Sequence, residues 1–119
     1  MNNTHALQSY QDPSDLGLIP QLAASAPVEA AAFLAFNASA ERSDGIIPPK
    51  YRELISIGVA LATQCSYCLD VHTRRALAAG ATRSEIGEAT FVTAAVRAGA
   101  ALGHGLLVQK ILDAVEHAK

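Results

Sequence analysis

Proline divides this 119-residue chain in two. All five prolines, Pro13, Pro20, Pro27, Pro48 and Pro49, fall in the first 49 residues, and the last 70 contain none. An interior proline removes a helix hydrogen bond and clashes with the preceding turn, so a proline-free stretch of that length is where long helices can form. Alanine fills much of it: the chain has 24, one residue in five, against three Tyr, three Phe and no Trp. Alanine is the best helix former and gives a sheet face little to bury, so the expected fold is all-α. The length suits one domain over 1–119, with residues 1–24 as an N-terminal arm and 49–119 as the core.

Charge narrows the possible partners. Nine basic against eleven acidic side chains, a net −2 with no Lys/Arg run, lack the footprint of a nucleic-acid binder. The longest apolar stretch, about Ala89 to Val108, is interrupted by Arg97 and His104 and falls short of the roughly 20 clean apolar residues of a bilayer span. No membrane partner is expected. The polar start, MNNTHALQSYQDP, does not resemble a signal peptide, so a cytoplasmic, reducing location is expected. There, two cysteines three positions apart read as reactive or metal-binding rather than as a structural staple.

Punctuation residues place the elements. Residues 1–24 mix Asn, Gln, Asp, Pro and Gly with isolated leucines and read as an extended arm that packs in places. Ser25 is placed to cap a helix with Pro27 near its start, running to about Arg42. Pro49 opens a second helix, about Lys50 to Ala62, with so little polar face that burial nearly all round is expected. A third begins near Cys65 or Ser66 and ends at Gly80, suited to a left-handed C′ position. Thr82 and Glu85 form a T-x-x-E capping box for the last segment, to about Ala118. Gly103-His104-Gly105 reads as a junction dividing that segment into two helices.

The chemistry lies in ELISIGVALATQCSYCLDVH, which carries Glu53, Cys65, Cys68 and His72. With a helix starting near Cys65, the two cysteines lie one turn apart at its N-terminus and His72 one further turn along the same face. Free N–H groups and the positive dipole end there stabilise a thiolate, the attacking form of cysteine. On a continuous helix Glu53 would stand about 18 Å from Cys65. A tight turn at Thr63-Gln64 instead makes an antiparallel helical hairpin and brings Glu53 level with the residues just after His72. A Glu53–His72–Cys68 relay then follows the logic of a catalytic triad: the carboxylate orients the imidazole, and the imidazole moves the thiol proton. With no family in view, Glu53 could equally pair with Arg74 or Arg75 in a structural salt bridge.

The pattern of Glu, eleven residues, C-x-x-C, three residues and His, followed by A-x-x-x-G and T-x-x-E-I, resembles the AhpD-like alkylhydroperoxidases of the carboxymuconolactone decarboxylase superfamily. The match runs over about Glu53 to Ala89. The resemblance implies a helical bundle of about five or six helices and a thiol-dependent peroxidase or dithiol-disulfide oxidoreductase. It makes Cys68 the thiol that attacks the peroxide, Cys65 the resolving thiol and Glu53 with His72 the proton relay. A dithiol carrier or partner reductase would supply electrons, and no haem, flavin or metal is implied. Ser66-Tyr67 stand between the cysteines, where the best-known members carry a histidine second. The decarboxylase branch lacks the cysteine pair, so ring-acid decarboxylation is not the expected reaction.

Three rival readings stand beside this one. The cysteines could be buried structural thiols, or zinc ligands with His72 and His104, although a second close ligand pair is missing. A non-catalytic oligomeric binding protein whose thiols sense redox state is the alternative function. Oligomerisation is expected in either case, because alanines bury little area at about 25 cal/mol per Å². The resemblance makes the assembly a trimer, or a hexamer.

Overall fold

The structure, a computed structural model, describes residues 9–118. Among them are a short 3-10 helix (Pro13–Leu18) and five α-helices: α1 (Ile19–Ser25), α2 (Pro27–Ala40), α3 (Pro49–Thr63), α4 (Ser66–Ala78) and α5 (Arg83–His117). The fold is all-α, as the alanine content and proline placement require.

The heart of the chain is the α3–α4 hairpin laid against α5. Pro49 occupies the first turn of α3, where its missing N–H costs nothing. The helix ends on Gln64 in the left-handed region at φ 58°, and the Cys65 N–H returns to the Ala60 carbonyl at 3.0 Å. That turn reverses the chain, and Cys65 becomes the N-cap of α4. At the far end Gly80 takes φ 93°, and the Ala81 N–H reaches back to the Ala76 carbonyl at 2.9 Å, a Schellman closure. Ala76 and Ala81 are both buried, and with Ile57 they form the core, ringed by Leu54, Leu61, Leu69 and Ile86. Thr82 and Glu85 then complete their capping box and start α5. Glu85 also pairs with Lys50 at 3.0 Å, tying the start of α5 to the start of α3. This pairing holds the Lys50 amine above its usual range and the Glu85 carboxyl below its own, the latter helped by the Thr82 N–H.

Four expectations fail here. The last segment is one unbroken helix of 35 residues, not two meeting at Gly103-His104-Gly105. Each glycine costs about 1 kcal/mol of helix propensity but keeps its N–H, so the ladder is weakened without being cut. The arm, as far as it is described, is helical rather than extended. Asp12 and Asp15 form a capping box around the 3-10 turn, and Pro13 and Pro20 sit in first turns, where proline starts helices. Residues 1–8 lie outside the described residues. Ser25 closes α1, its hydroxyl donating to the Leu22 carbonyl, while the N-cap of α2 is Ala26. Finally, α3 is not buried all round: Ile57 and Ala60 are, while Ile55 and Val59 stay exposed.

What remains uncovered is large. α2 carries exposed Val28, Phe33 and Phe36, and α5 has no buried residue along its length. By length and composition alone α5 could cross a membrane, although α3 packs on one side of it.

Candidate active site

The hairpin brings Glu53 and His72 into direct contact. His72 Nδ1 lies 2.7 Å from Glu53 Oε2. An ionised carboxylate only accepts, so Nδ1–H is the donor. Both side chains are 14% exposed, and a carboxylate so placed among Leu54, Ile55 and Ile57 needs such a partner. Glu53 thus meets His72 itself, slightly nearer the turn than residue counting places it. It does not pair with the arginines: Arg74 bonds Asp70 at 3.1 Å, and Arg75 bonds Glu41 at 2.8 Å.

The cysteines form a disulfide, with Cα atoms 5.3 Å apart. Cys65 Sγ, at the N-cap, accepts the Cys68 N–H at 3.3 Å, which places Cys68 at the third position of α4 under the helix's unpaired donors. On reduction that location favours a thiolate. Among the described residues no group of three or more His, Cys, Asp or Glu side chains is placed to hold a metal ion. His104 is exposed midway along α5.

A cleft of about 390 Å³ opens beside the pair. Its walls include Glu53, Cys68 and His72, and an apolar strip of Ala40, Ile47, Ile55 and Val59. Exposed Ile55 and Val59 of α3 thus have a use: they face the cleft. Cys68 lines this space and Cys65 does not. Tyr67, which stands between the cysteines in sequence, donates its hydroxyl to Asp15 Oδ2 at 2.7 Å. That bond pins the N-terminal 3-10 helix to α4 and holds the Tyr67 phenol above its usual range.

Two residues of the site escape a reading of the sequence. Glu41, the C-cap of α2, sets Oε1 3.6 Å from His72 Nε2, while its Oε2 accepts from Arg75 at 2.8 Å and Asn37 at 3.2 Å. Arg52 donates to the carbonyls of Ala40 and Ile47, holding the loop that joins α2 to α3 along the cleft. The contacts that bring them to the site, Glu41 with His72 and Arg52 with Ala40, join residues well apart in the chain, so nothing local marks them.

A helical hairpin that joins a glutamate and a histidine, with a C-x-x-C at the start of its second helix, fits the AhpD-like superfamily, and comparison with known proteins shows the family. The chain belongs to the carboxymuconolactone decarboxylase family, whose model matches residues 27–110. It is 38% identical over 76 residues to the uncharacterized protein 4 in the cox locus of Paracoccus denitrificans, covering 64% of this chain and 68% of that one. A crystal structure of a protein from Methanobacterium thermoautotrophicum is 33% identical and superimposes with a TM-score of 0.66, over 73% of this chain and 97% of that one.

Proposed function

We propose that this chain is a thiol-dependent peroxidase, a dithiol-disulfide oxidoreductase that reduces hydroperoxides at Cys68. The supporting observation is the Glu53–His72 contact on the wall of a cleft that Cys68 lines. In the reduced protein the Cys68 thiolate attacks the terminal peroxide oxygen. The O–O bond breaks, the alkoxide leaves with a proton delivered through His72, and Cys68 becomes a sulfenic acid. The Cys65 thiol then attacks the Cys68 sulfur, forming the disulfide and releasing water. A dithiol carrier or partner reductase returns two electrons and two protons to the pair. The cycle needs no haem, flavin or metal, and the cysteine pair speaks against ring-acid decarboxylation.

Dithiol-dependent consumption of an alkyl hydroperoxide tests this reading. Cys68→Ser is expected to abolish turnover, and reduced Cys65→Ser, treated with peroxide before any dithiol is added, to stop after one equivalent with a sulfenic acid that dimedone traps. Turnover by Cys68→Ser at the parent rate refutes the proposal. One equivalent of oxidation followed by no turnover with any dithiol favours the redox-sensing alternative.

The uncovered faces of α2 and α5 support a homo-oligomer, a trimer or a hexamer, as the working form. Exposed Phe33, Phe36, Phe91 and Leu102 are the side chains such an assembly would cover. Sedimentation in detergent-free buffer decides the point. A stable monomer refutes it, and solubility only in detergent assigns α5 to a bilayer instead.

A further inference from the structure

Two carboxylates, not one, address the imidazole of His72. Glu53 from α3 takes Nδ1 at 2.7 Å, and Glu41 from the end of α2 faces Nε2 at 3.6 Å. With Nδ1–H committed to Glu53, a neutral ring would turn an Nε2 lone pair toward the Glu41 oxygen. The second contact is attractive only when the ring carries both protons. Glu41 is itself held: Arg75 and Asn37 fix its other oxygen, and it is only partly exposed. The groups around His72 are therefore Glu53 from α3, Glu41 from α2, Cys68 and Arg75 on its own helix, and Arg52 across the cleft. Arg75, paired with Glu41 at 2.8 Å, carries the opposite charge and so opposes that carboxylate's direct field at the sulfur. What Glu41 does to Cys68 is then transmitted mainly by contact with the ring.

We propose that Glu41 is a positioning residue for the thiol chemistry, acting through His72: its carboxylate faces Nε2 and, as an ion pair, steadies the doubly protonated ring beside the cleft that Cys68 lines. This rests on the relay proposed above and extends it to α2, because Glu41 is supplied by a helix outside the hairpin. α2 is held at the site by the Glu41 contacts and by the Arg52 bond to the Ala40 carbonyl. In the disulfide form Glu41 thus faces the ring nitrogen that the relay needs for the Cys68 proton.

The test is the pH profile of iodoacetamide alkylation of Cys68 in the reduced protein, read by mass spectrometry without any peroxide. Glu41→Gln keeps the side-chain size and removes the charge; it is expected to move the profile to higher pH and slow alkylation at pH 7 about threefold, as suits a partly exposed pair. Glu53→Gln is expected to do more, and Glu41→Asp to recover part of the loss. Should Glu41→Gln be poorly folded, Glu41→Asp carries the comparison with an intermediate displacement. A Glu41→Gln profile that superimposes on the parent while Glu53→Gln moves overturns the role of Glu41 alone. If neither variant moves, the Glu–His relay itself fails. If Arg75→Leu reproduces the Glu41→Gln profile, Glu41 serves only to anchor α2, and the proposal falls.

Discussion

Ile57→Ala tests where the stability of this chain resides. Ile57 is 2% exposed and is the largest fully buried side chain among the described residues; it packs against Ala76 and Ala81 within a ring of Leu54, Leu61, Leu69 and Ile86. Truncating a buried isoleucine to alanine costs about 2–5 kcal/mol, with the larger values where the surroundings cannot collapse. Collapse is restricted here, because the facing alanines belong to the closed turn at Gly80 and cannot advance without breaking the Ala81 to Ala76 hydrogen bond. A loss of about 3–4 kcal/mol is expected, a large share of a typical domain's stability of roughly 5–15 kcal/mol. Urea unfolding followed by far-UV circular dichroism, with the disulfide intact and protein concentration fixed, reads this directly. At a slope of about 2 kcal/mol per molar, the midpoint falls by about 1.5–2 M. Phe91→Ala, a bigger truncation at a site 77% exposed in the chain, is the control, and the chain alone predicts a change within about 0.5 kcal/mol. A midpoint shift under about 0.3 M for Ile57→Ala would show that stability is not seated at the α3–α4–α5 junction. A large effect of Phe91→Ala instead would locate it between subunits.

Further predictions concern two polar contacts. Glu85 has its carboxyl held below the usual range, so its contribution to stability is present above the unfolded value of about 4.3 and is lost as pH falls through the lower folded one. The thermal midpoints of the parent and Glu85→Gln are therefore expected to differ by a constant amount at neutral pH and to draw together as pH falls below about 4.3; a gap that does not narrow with acidification refutes the assignment. Tyr67, raised by its bond to Asp15, is expected to ionise later than an ordinary tyrosine in an absorbance titration, with Asp15→Asn bringing that phase to lower pH. An unchanged titration in Asp15→Asn would mean that the arm does not rest on α4 in solution.

The legible parts of this protein are those encoded locally. Gly80 marks a left-handed turn, Thr82 and Glu85 close a box three residues apart, and the C-x-x-C lands at a helix start because Gln64 lets the chain reverse just before it. From those signals the hairpin follows, and with it the meeting of Glu53 and His72. Two of the misreadings share a cause: proline in the arm and glycine in the last segment read as breaks because both are disfavoured in a helix interior. Pro13 and Pro20 start helices, and the glycines of α5 keep their N–H groups, so neither disrupts what it was expected to disrupt. Glu41 and Tyr67 were illegible for a different reason. Their partners, His72 and Asp15, are chosen by packing between elements, and no spacing rule reaches across such distances.

The shape of the chain connects its stability with its chemistry. Its radius of gyration is 20.2 Å, where a compact chain of this length has about 13–14 Å. The excess comes from α2 and the long α5, which reach beyond the hairpin and leave their apolar side chains uncovered. Yet α2 supplies Asn37, Ala40 and Glu41 to the cleft, and its packing within the chain is mainly against the equally exposed α1. Polar contacts alone, partly exposed and individually worth about 1 kcal/mol or less, hold a poor lever against the motion of a fourteen-residue helix. If neighbouring copies cover α2, they also fix Glu41 against His72, and the cleft beside Cys68 is complete only in the assembly. Assembly and thiol reactivity are then a single equilibrium seen from two sides: dilution that separates subunits should release Glu41 and move the alkylation profile of Cys68 as Glu41→Gln does. A profile identical above and below the dissociation concentration would show instead that the chain holds its own site together.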